Sequence, residues 1–316
     1  MISRIISVLL FCAGLLCLAQ AQVPMTGAGV GAPGGGAPAY TGPGDLTLSA
    51  TFVAWYGFSC FTAAYSGNVA SIWDHATNNT TNTVITCSAG SLVTTSPSSL
   101  ATTCAVACDV DVMYDQSGTH CDSSVACRAD AAGMGAMPPL NLTGAPDGTK
   151  MCMTSGGGAG FVITTDNAPG APTFTQAIPF SMSMVQKQTT VGSGVQTIIG
   201  GGTTNNQIRV GFENTAAPNN KHVIYNGVSF PGAVASNNAF HAFNDVFDAA
   251  SASAVSIDGT ATTGLSLGSS TAFSTGHIAM GLDVVGTFCE GGILNGALST
   301  GDMTALSANQ HTRWNF

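Results

Sequence analysis

Short runs of β-branched and aromatic residues recur about every ten residues along most of this chain, each closed by a cluster of Gly, Asn, Ser or Pro. Side chains on an extended backbone alternate between two faces, so runs of this length bury one face and then stop at a turn. The pattern predicts strands at Val69 to Trp73, Thr83 to Cys87, Asp109 to Tyr114, Phe161 to Thr165, Phe180 to Val185, Val195 to Ile199, Ile208 to Glu213, His222 to Val228, Ala254 to Ile257 and Ile278 to Val285. In Ile208-Arg209-Val210-Gly211-Phe212 the apolar residues share one face and Arg209 and Gly211 the other, so a strand that continues puts Glu213 on the polar face. Helix is scarce: Ser299-Thr300 followed by Asp302 is a start signal, for a short turn through about Asn309. The repeat of roughly 40 residues that a propeller needs is missing. An all-β fold follows, a single β-sandwich of jelly-roll type over residues 45–316.

Only 7% of the 316 residues are charged, Lys+Arg 7 against Asp+Glu 16. Seven cations cannot cover a phosphate backbone, which excludes nucleic acid as a partner. A hydrophobic content of 45% excludes intrinsic disorder for the bulk of the chain. Residues 22–44 are different: Gly31 to Gly36 are interrupted only by Ala32 and Pro33, Gly42-Pro43-Gly44 follows, and such a segment reads as a linker. Ahead of it, Arg4, the apolar run Ile5 to Leu18 and Ala19-Gln20-Ala21 have the form of a signal peptide, residues 1–21, cleaved after Ala21. A secreted, extracellular protein is the expectation. No later stretch reaches the roughly 18 uninterrupted apolar residues of a membrane span.

Cys12 and Cys17 fall in that leader, leaving Cys60, Cys87, Cys104, Cys108, Cys121, Cys127, Cys152 and Cys289. An even set in an exported chain reads as disulfides. Closeness in sequence makes Cys104 with Cys108, and Cys121 with Cys127, the first loops to pair; the other four stay unassigned. Zinc needs two tight Cys or His pairs, and the 6 histidines are scattered singly, so the sequence implies no metal and no cofactor.

Glu213 and Glu290 are the two glutamates of the chain, and each ends or interrupts an apolar run. Asp109, Asp111 and Asp115 alternate toward one face, which is either a sugar- or calcium-binding face or the wet side of a sheet. Trp55, Trp73 and Tyr114 are candidates for stacking on a sugar ring. A Gly-x-Ser-x-Gly elbow between strand and helix is missing, which disfavours a serine hydrolase. Asn78, Asn79 and Asn141 begin Asn-x-Ser/Thr triplets, acceptors of glycans in a eukaryotic host.

At Tyr114-Asp115-Gln116-Ser117-Gly118, which follows Cys104-Ala-Val-Ala-Cys108 and the strand Asp109 to Met113, the sequence resembles the catalytic domain of the family 54 glycoside hydrolases, the α-L-arabinofuranosidase B type. Ala64-Tyr65-Ser66-Gly67 looks like that family's opening segment. Ile208-Arg209-Val210-Gly211-Phe212-Glu213-Asn214 is similar to its Ile-x-Val-Asp-Met-Glu-Asn strand, and Gly286-Thr287-Phe288-Cys289-Glu290-Gly291 to its Gly-Thr-Phe-Tyr-Glu-Gly. The resemblance implies a divergent, concanavalin A-like sandwich and a retaining glycoside hydrolase acting on arabinose-containing polysaccharide. It implies Glu213 as nucleophile, and Asp283, the carboxylate that precedes Gly286-Thr287-Phe288, as acid/base. Asn214, Tyr114, Asp115 and Trp73 are then the substrate-binding candidates, and a polysaccharide or glycan the partner. The chain departs from the family at Gly211, where an aspartate stands two residues before the nucleophile, in the connection before Gly286-Thr287-Phe288, which is several residues shorter and lacks the Gly-Gly-Asp-Asn segment that holds the family's acid/base, and in having no adjacent cysteines. A non-catalytic carbohydrate-binding or adhesion module, and a structural surface or virion-associated protein, fit the same composition.

Overall fold

Alternating apolar runs need partners for both their backbone edges and their buried face, and in this protein they find them in two antiparallel sheets packed face to face. The structure is a computed structural model that describes residues 40–74, 83–92, 104, 108–118, 128–131, 137–156, 163–164, 175–190, 195–201, 208–213, 221–226, 229–234, 238–249, 251–266, 272–274, 279–280 and 285–316. In chain order its strands are β1 (Thr51–Gly57), β2 (Gly67–Asp74), β3 (Thr83–Ser88), β4 (Ser91–Leu92), β5 (Cys108–Tyr114), β6 (Arg128–Ala131), β7 (Leu140–Asn141), β8 (Cys152–Gly156), β9 (Ile163–Thr164) and β10 (Thr175–Ala177). The second half adds β11 (Phe180–Thr190), β12 (Val195–Gly201), β13 (Ile208–Glu213), β14 (Lys221–Asn226), β15 (Ser229–Val234), β16 (Phe240–Phe247), β17 (Ser253–Ile257), β18 (Thr260–Leu265), β19 (Ala272–Ser274), β20 (Ala279–Met280) and β21 (Val285–Asn295). Helix α1 (Thr300–Trp314) follows.

The smaller sheet has 8 strands in the order β18-β17-β16-β11-β21-β8-β7, with β1 also on β21. β21 is its hub: residues 285–288 pair with β8, residues 290–295 with β1, and its other edge with β11. A Cβ at Gly292 would stand 2.1 Å from the Ala54 carbonyl oxygen, so only glycine allows β1 this close. The larger sheet has 11 strands in the order β15-β14-β13-β12-β20-β9-β6-β5-β2-β3-β4, and β10 pairs with β19 as a separate ribbon. The stretch Ile278 to Val285, read from its pattern as one strand, is divided: β20 belongs to the larger sheet and β21 to the smaller.

Between the sheets, Phe180, Met182 and Met184 of β11 and Phe243 and Phe247 of β16 form one cluster with Ile72, Ile85, Val110, Met113, Ile224 and Met280 of the larger sheet. Each such side chain contributes roughly 1.5–3 kcal/mol by leaving water. A second cluster unites Phe52, Trp55, Phe61, Val246 and Leu294 with Met303 and Leu306 of α1. Ser299 caps that helix: its Oγ accepts from the Asp302 N–H at 3.1 Å, and Asp302 Oδ2 accepts from the Ser299 N–H at 3.0 Å. The helix runs past Asn309 to Trp314 because its second half finds polar partners on the sheet. Gln310 Nε2 donates to Ser183 Oγ at 3.0 Å and Asn244 Nδ2 to Ser307 Oγ at 2.8 Å.

Disulfides join Cys60 to Cys87, Cys104 to Cys108 and Cys152 to Cys289. Cys121 and Cys127 lie outside the described residues. The last bond ties β8 to β21 across a sequence separation of 137, a loop whose closure is worth roughly 4–5 kcal/mol in the chain-entropy picture. Packing begins at Tyr40, ahead of the Asp45 boundary that composition suggests: Tyr40 lies against the core, and Gly44 N–H donates to the Phe61 carbonyl at 2.9 Å. No described helix is long and apolar enough to cross a membrane.

Candidate functional site

Strand β13 lies between β12 and β14, and its last residue, Glu213, pairs with Val195 on one side and Lys221 on the other. Directly opposed residues share a face. His222 and Ile224 of β14 are fully buried, and they oppose Phe212 and Val210. The backbone register thus sets Phe212 and Val210 against that buried pair and Glu213 against Lys221. Asn214 and Asp283 lie outside the described residues. β20 runs antiparallel to β12, with Gly200 opposite Ala279 and Ile199 opposite Met280, so the chain leaves Met280 toward the Val195 end of β12.

Behind this strand lies a pair that the sequence did not reveal. His222 Nε2 is 2.8 Å from Asp245 Oδ2, both side chains have 0% exposure, and the imidazole stacks on Phe243 with centroids 4.2 Å apart. Asp245 Oδ1 also accepts from the Ser256 N–H at 3.3 Å. Burial pushes the Asp245 carboxyl up from its ordinary range, and the His222 neighbour partly offsets this. The pair links β14 of one sheet to β16 of the other. Its only sequence signal is an aspartate within the apolar run Phe240 to Phe247.

The Tyr114-Asp115-Gln116-Ser117-Gly118 segment corrects the expectation of an acidic ligand face. Ser71 opposes Val112 and Ile72 opposes Val110, so Asp111 is the extra residue of a β-bulge and the alternation breaks there. Asp115 is 2% exposed and its oxygens are taken. Oδ1 accepts from the Trp55 N–H at 2.8 Å and the Ser117 N–H at 2.9 Å, and Oδ2 from the Ser117 hydroxyl at 3.1 Å. Gln116 N–H donates to the Trp55 carbonyl at 2.8 Å, Gln116 Nε2 to the Gly57 carbonyl at 2.8 Å, and the Ser117 hydroxyl to the Val53 carbonyl at 3.1 Å. The motif thus satisfies alternate residues of β1, clasping the smaller sheet to the end of β5 in the larger one. Burial raises the Asp115 carboxyl to about 6, against the pull of these donors. Asp115 is a structural clasp rather than a sugar ligand.

Trp55 is fully buried and serves the core, while Trp73 and Tyr114 are half-buried. β13 and β5 are separated by β12, β20, β9 and β6, so Tyr114 and Glu213 stand about 24 Å apart along the sheet, and Trp73 on β2 one strand further. The structure does not gather these aromatics around Glu213.

Glu290, the other glutamate, has no exposure. Both guanidinium ends of Arg313 donate to its two oxygens, and Ser59 Oγ donates to Oε2 at 2.8 Å while accepting from Arg313 Nη1 at 2.8 Å. Burial works against the Arg313 charge, but the Glu290 carboxylate outweighs it and holds the guanidinium above its ordinary pKa. Tyr40 donates to the Cys60 carbonyl beside this cluster. Glu290 latches α1 and the loop after β1 onto β21. Among the described residues, no group of three or more His, Cys, Asp or Glu is placed to hold a metal ion.

This architecture is a β-sandwich of two antiparallel sheets. It is similar to a glutamine mutant of a family 54 α-L-arabinofuranosidase soaked with 4-nitrophenyl α-L-arabinofuranoside, with a TM-score of 0.63, 19% identity, and 85% of this chain covering 64% of that one. A family 54 α-L-arabinofuranosidase soaked with a cyclic sulfate inhibitor, and an arabinofuranosidase complexed with arabinofuranosyl-α-1,2-xylobiose, match with the same score and coverage at 18% identity. At this identity the likeness is one of fold, and the chain spans 64% of the length of these enzymes. No protein-family model matches the chain, and no curated protein matches it in sequence.

Proposed function

We propose that this chain is a secreted, retaining glycoside hydrolase of arabinofuranosidase type, with Glu213 as nucleophile and Asp283 as acid/base. The observation that carries the reading is a coincidence of strand and fold. The segment Ile208–Glu213, which resembles the nucleophile strand in sequence, is an interior strand of the larger sheet in a sandwich similar to that of the arabinofuranosidases.

A retaining reaction needs two carboxyl groups about 5–5.5 Å apart. The heading of β20 supports Asp283 in that role, since the chain leaves Met280 toward the Glu213 end and Asp283 follows three residues later. Ionised Glu213 attacks the anomeric carbon while Asp283 gives its proton to the leaving oxygen; Asp283 then takes a proton from the water that releases the sugar.

The test is hydrolysis of 4-nitrophenyl α-L-arabinofuranoside by the oxidatively folded protein beside its Glu213→Gln variant. Turnover that disappears in the variant supports the reading, and turnover that persists refutes it. A second reading, a non-catalytic glycan-binding module, is favoured by Trp73 and Tyr114 standing five to six strands from Glu213. It requires arabinoxylan binding that Trp73→Ala removes and Glu213→Gln leaves intact.

A further inference from the structure

Asn141, Leu142 and Thr143 form an Asn-x-Thr triplet with no proline inside or directly after it, and in a eukaryotic host the export predicted by the leader would take the chain past the enzymes that read such triplets. Asn141 ends β7, the last strand of the smaller sheet, and both Asn141 and Thr143 are exposed. The carboxamide Oδ1 accepts from the Thr143 N–H at 3.1 Å and from the Thr143 hydroxyl at 3.4 Å, and the Gly144 N–H closes the turn on the Asn141 carbonyl at 3.2 Å. With Oδ1 engaged by the turn, Nδ2 is the atom left for chemistry. A Cβ at residue 144 would stand 3.1 Å from Asn141 Cβ, so glycine keeps the space beside the side chain clear. The platform is firm, because Asn141 pairs with Cys152 and the Cys152–Cys289 disulfide fixes β8 to β21.

We infer that Asn141 is an acceptor for an N-linked glycan, donated by an oligosaccharide carried on a lipid diphosphate. Nδ2 bonds to the anomeric carbon, the bond from that carbon to the diphosphate oxygen breaks, the diphosphate leaves with the electron pair, and Nδ2 gives up one proton. Transfer acts on the emerging chain, so the fold decides whether the product can be accommodated: a buried asparagine would drag sugar toward the core, whereas Asn141 presents it to water. The position also gives the glycan a use. β7 is a two-residue edge strand, and a bulky hydrated group there blocks pairing with the strand of another chain. Glu213 belongs to the other sheet, so the modification leaves the proposed catalytic face open.

The test directs the full chain into the secretory pathway of a yeast with a host leader and treats the secreted, folded protein with peptide-N-glycosidase in heavy-oxygen water. The Asn141 peptide is expected to return with its carboxamide converted to a labelled carboxylate. Asn141→Gln and Thr143→Ala are each expected to lose the mass of one glycan, and Thr143→Ser, which keeps the hydroxyl, to retain it. Secreted, folded protein with an unlabelled Asn141 peptide overturns the inference, whether or not Asn78 or Asn79 carries sugar.

Discussion

Glu290 and Glu213 share a residue type and a resemblance to the same family, yet they belong to strands of different sheets. Glu290 lies within β21 with no exposure, both oxygens held by Arg313 and one by Ser59. Glu213 closes β13, with Lys221 across the ladder. Motif likeness points to Glu213 as the nucleophile, and the burial and pairing of Glu290 give that residue a structural task. A carboxylate gripped by a bidentate guanidinium inside a core has no route to a substrate, so its work is mechanical. Asp115 and Asp245 follow the Glu290 pattern, each buried and each joining one sheet to the other. In a chain with only 7% charged residues, three carboxylates, Glu290, Asp115 and Asp245, are thus spent on interior joinery.

The sharpest way to break this contrast is to exchange the outcomes of the two glutamates. Glu213→Gln is expected to cost at least ~10⁴-fold in kcat, by analogy with the loss of other nucleophiles, while its urea midpoint stays within about 0.5 kcal/mol of the parent. Arg313→Ala is expected to do the reverse, destabilising the fold by roughly 3–5 kcal/mol because Glu290 is left buried and unpaired. Replacing the pair together, Glu290→Leu with Arg313→Met, is expected to recover most of that loss in denaturant titrations. Failure to recover would mean that the latch supplies more than neutralisation.

Asp115 offers a smaller effect with a definite sign. Burial raises its folded pKa from 3.8 to about 6. The fold therefore prefers the protonated form, and the contribution of this group is fully present below about pH 3.8 and is lost as pH rises to about 6, a swing of about 3 kcal/mol. Asp115→Asn keeps a carbonyl for the Trp55 and Ser117 amides and removes the titrating charge. The stability of the parent minus that of this variant, measured between pH 3.5 and 7, is expected to fall with rising pH; a flat difference would place Asp115 in a wetter site than the structure gives it. Smallest of all, Ser299→Ala removes the cap of the helix that presents Arg313, with an expected loss of about 1 kcal/mol and turnover unchanged.

Much of the fold was legible because half-buried strands write a two-residue period. Ile208–Glu213 and Thr83–Ser88 lie where alternation and turn residues put them. β21 was not legible: Gly286, Gly291 and Gly292 dilute its strand signal, and close strand contact, not propensity, explains the glycine at 292. β1 and β16 were missed for a related reason, since both are buried almost throughout and carry no clean alternation. The Ser299 cap announced α1, but its length depends on Gln310 and Arg313 finding polar partners 127 and 23 residues away in sequence, which no local pattern encodes. At the site, strand period sufficed to place Glu213 at the end of a strand. Sequence could not separate Asp115 from a ligand, because a clasp and a sugar contact use the same hydrogen-bonding groups. Nor could it tell that Trp73 and Tyr114 belong to strands far across the sheet.

The most direct test of the division of labour between the two glutamates is to trap the nucleophile. The oxidatively folded protein is incubated with an arabinofuranose-configured cyclic sulfate, digested and mapped by mass spectrometry. A single adduct on the peptide that contains Glu213, absent from Glu213→Gln, is the result expected here. An adduct on Glu290 or another carboxylate, or none on a protein shown to be folded, would contradict it.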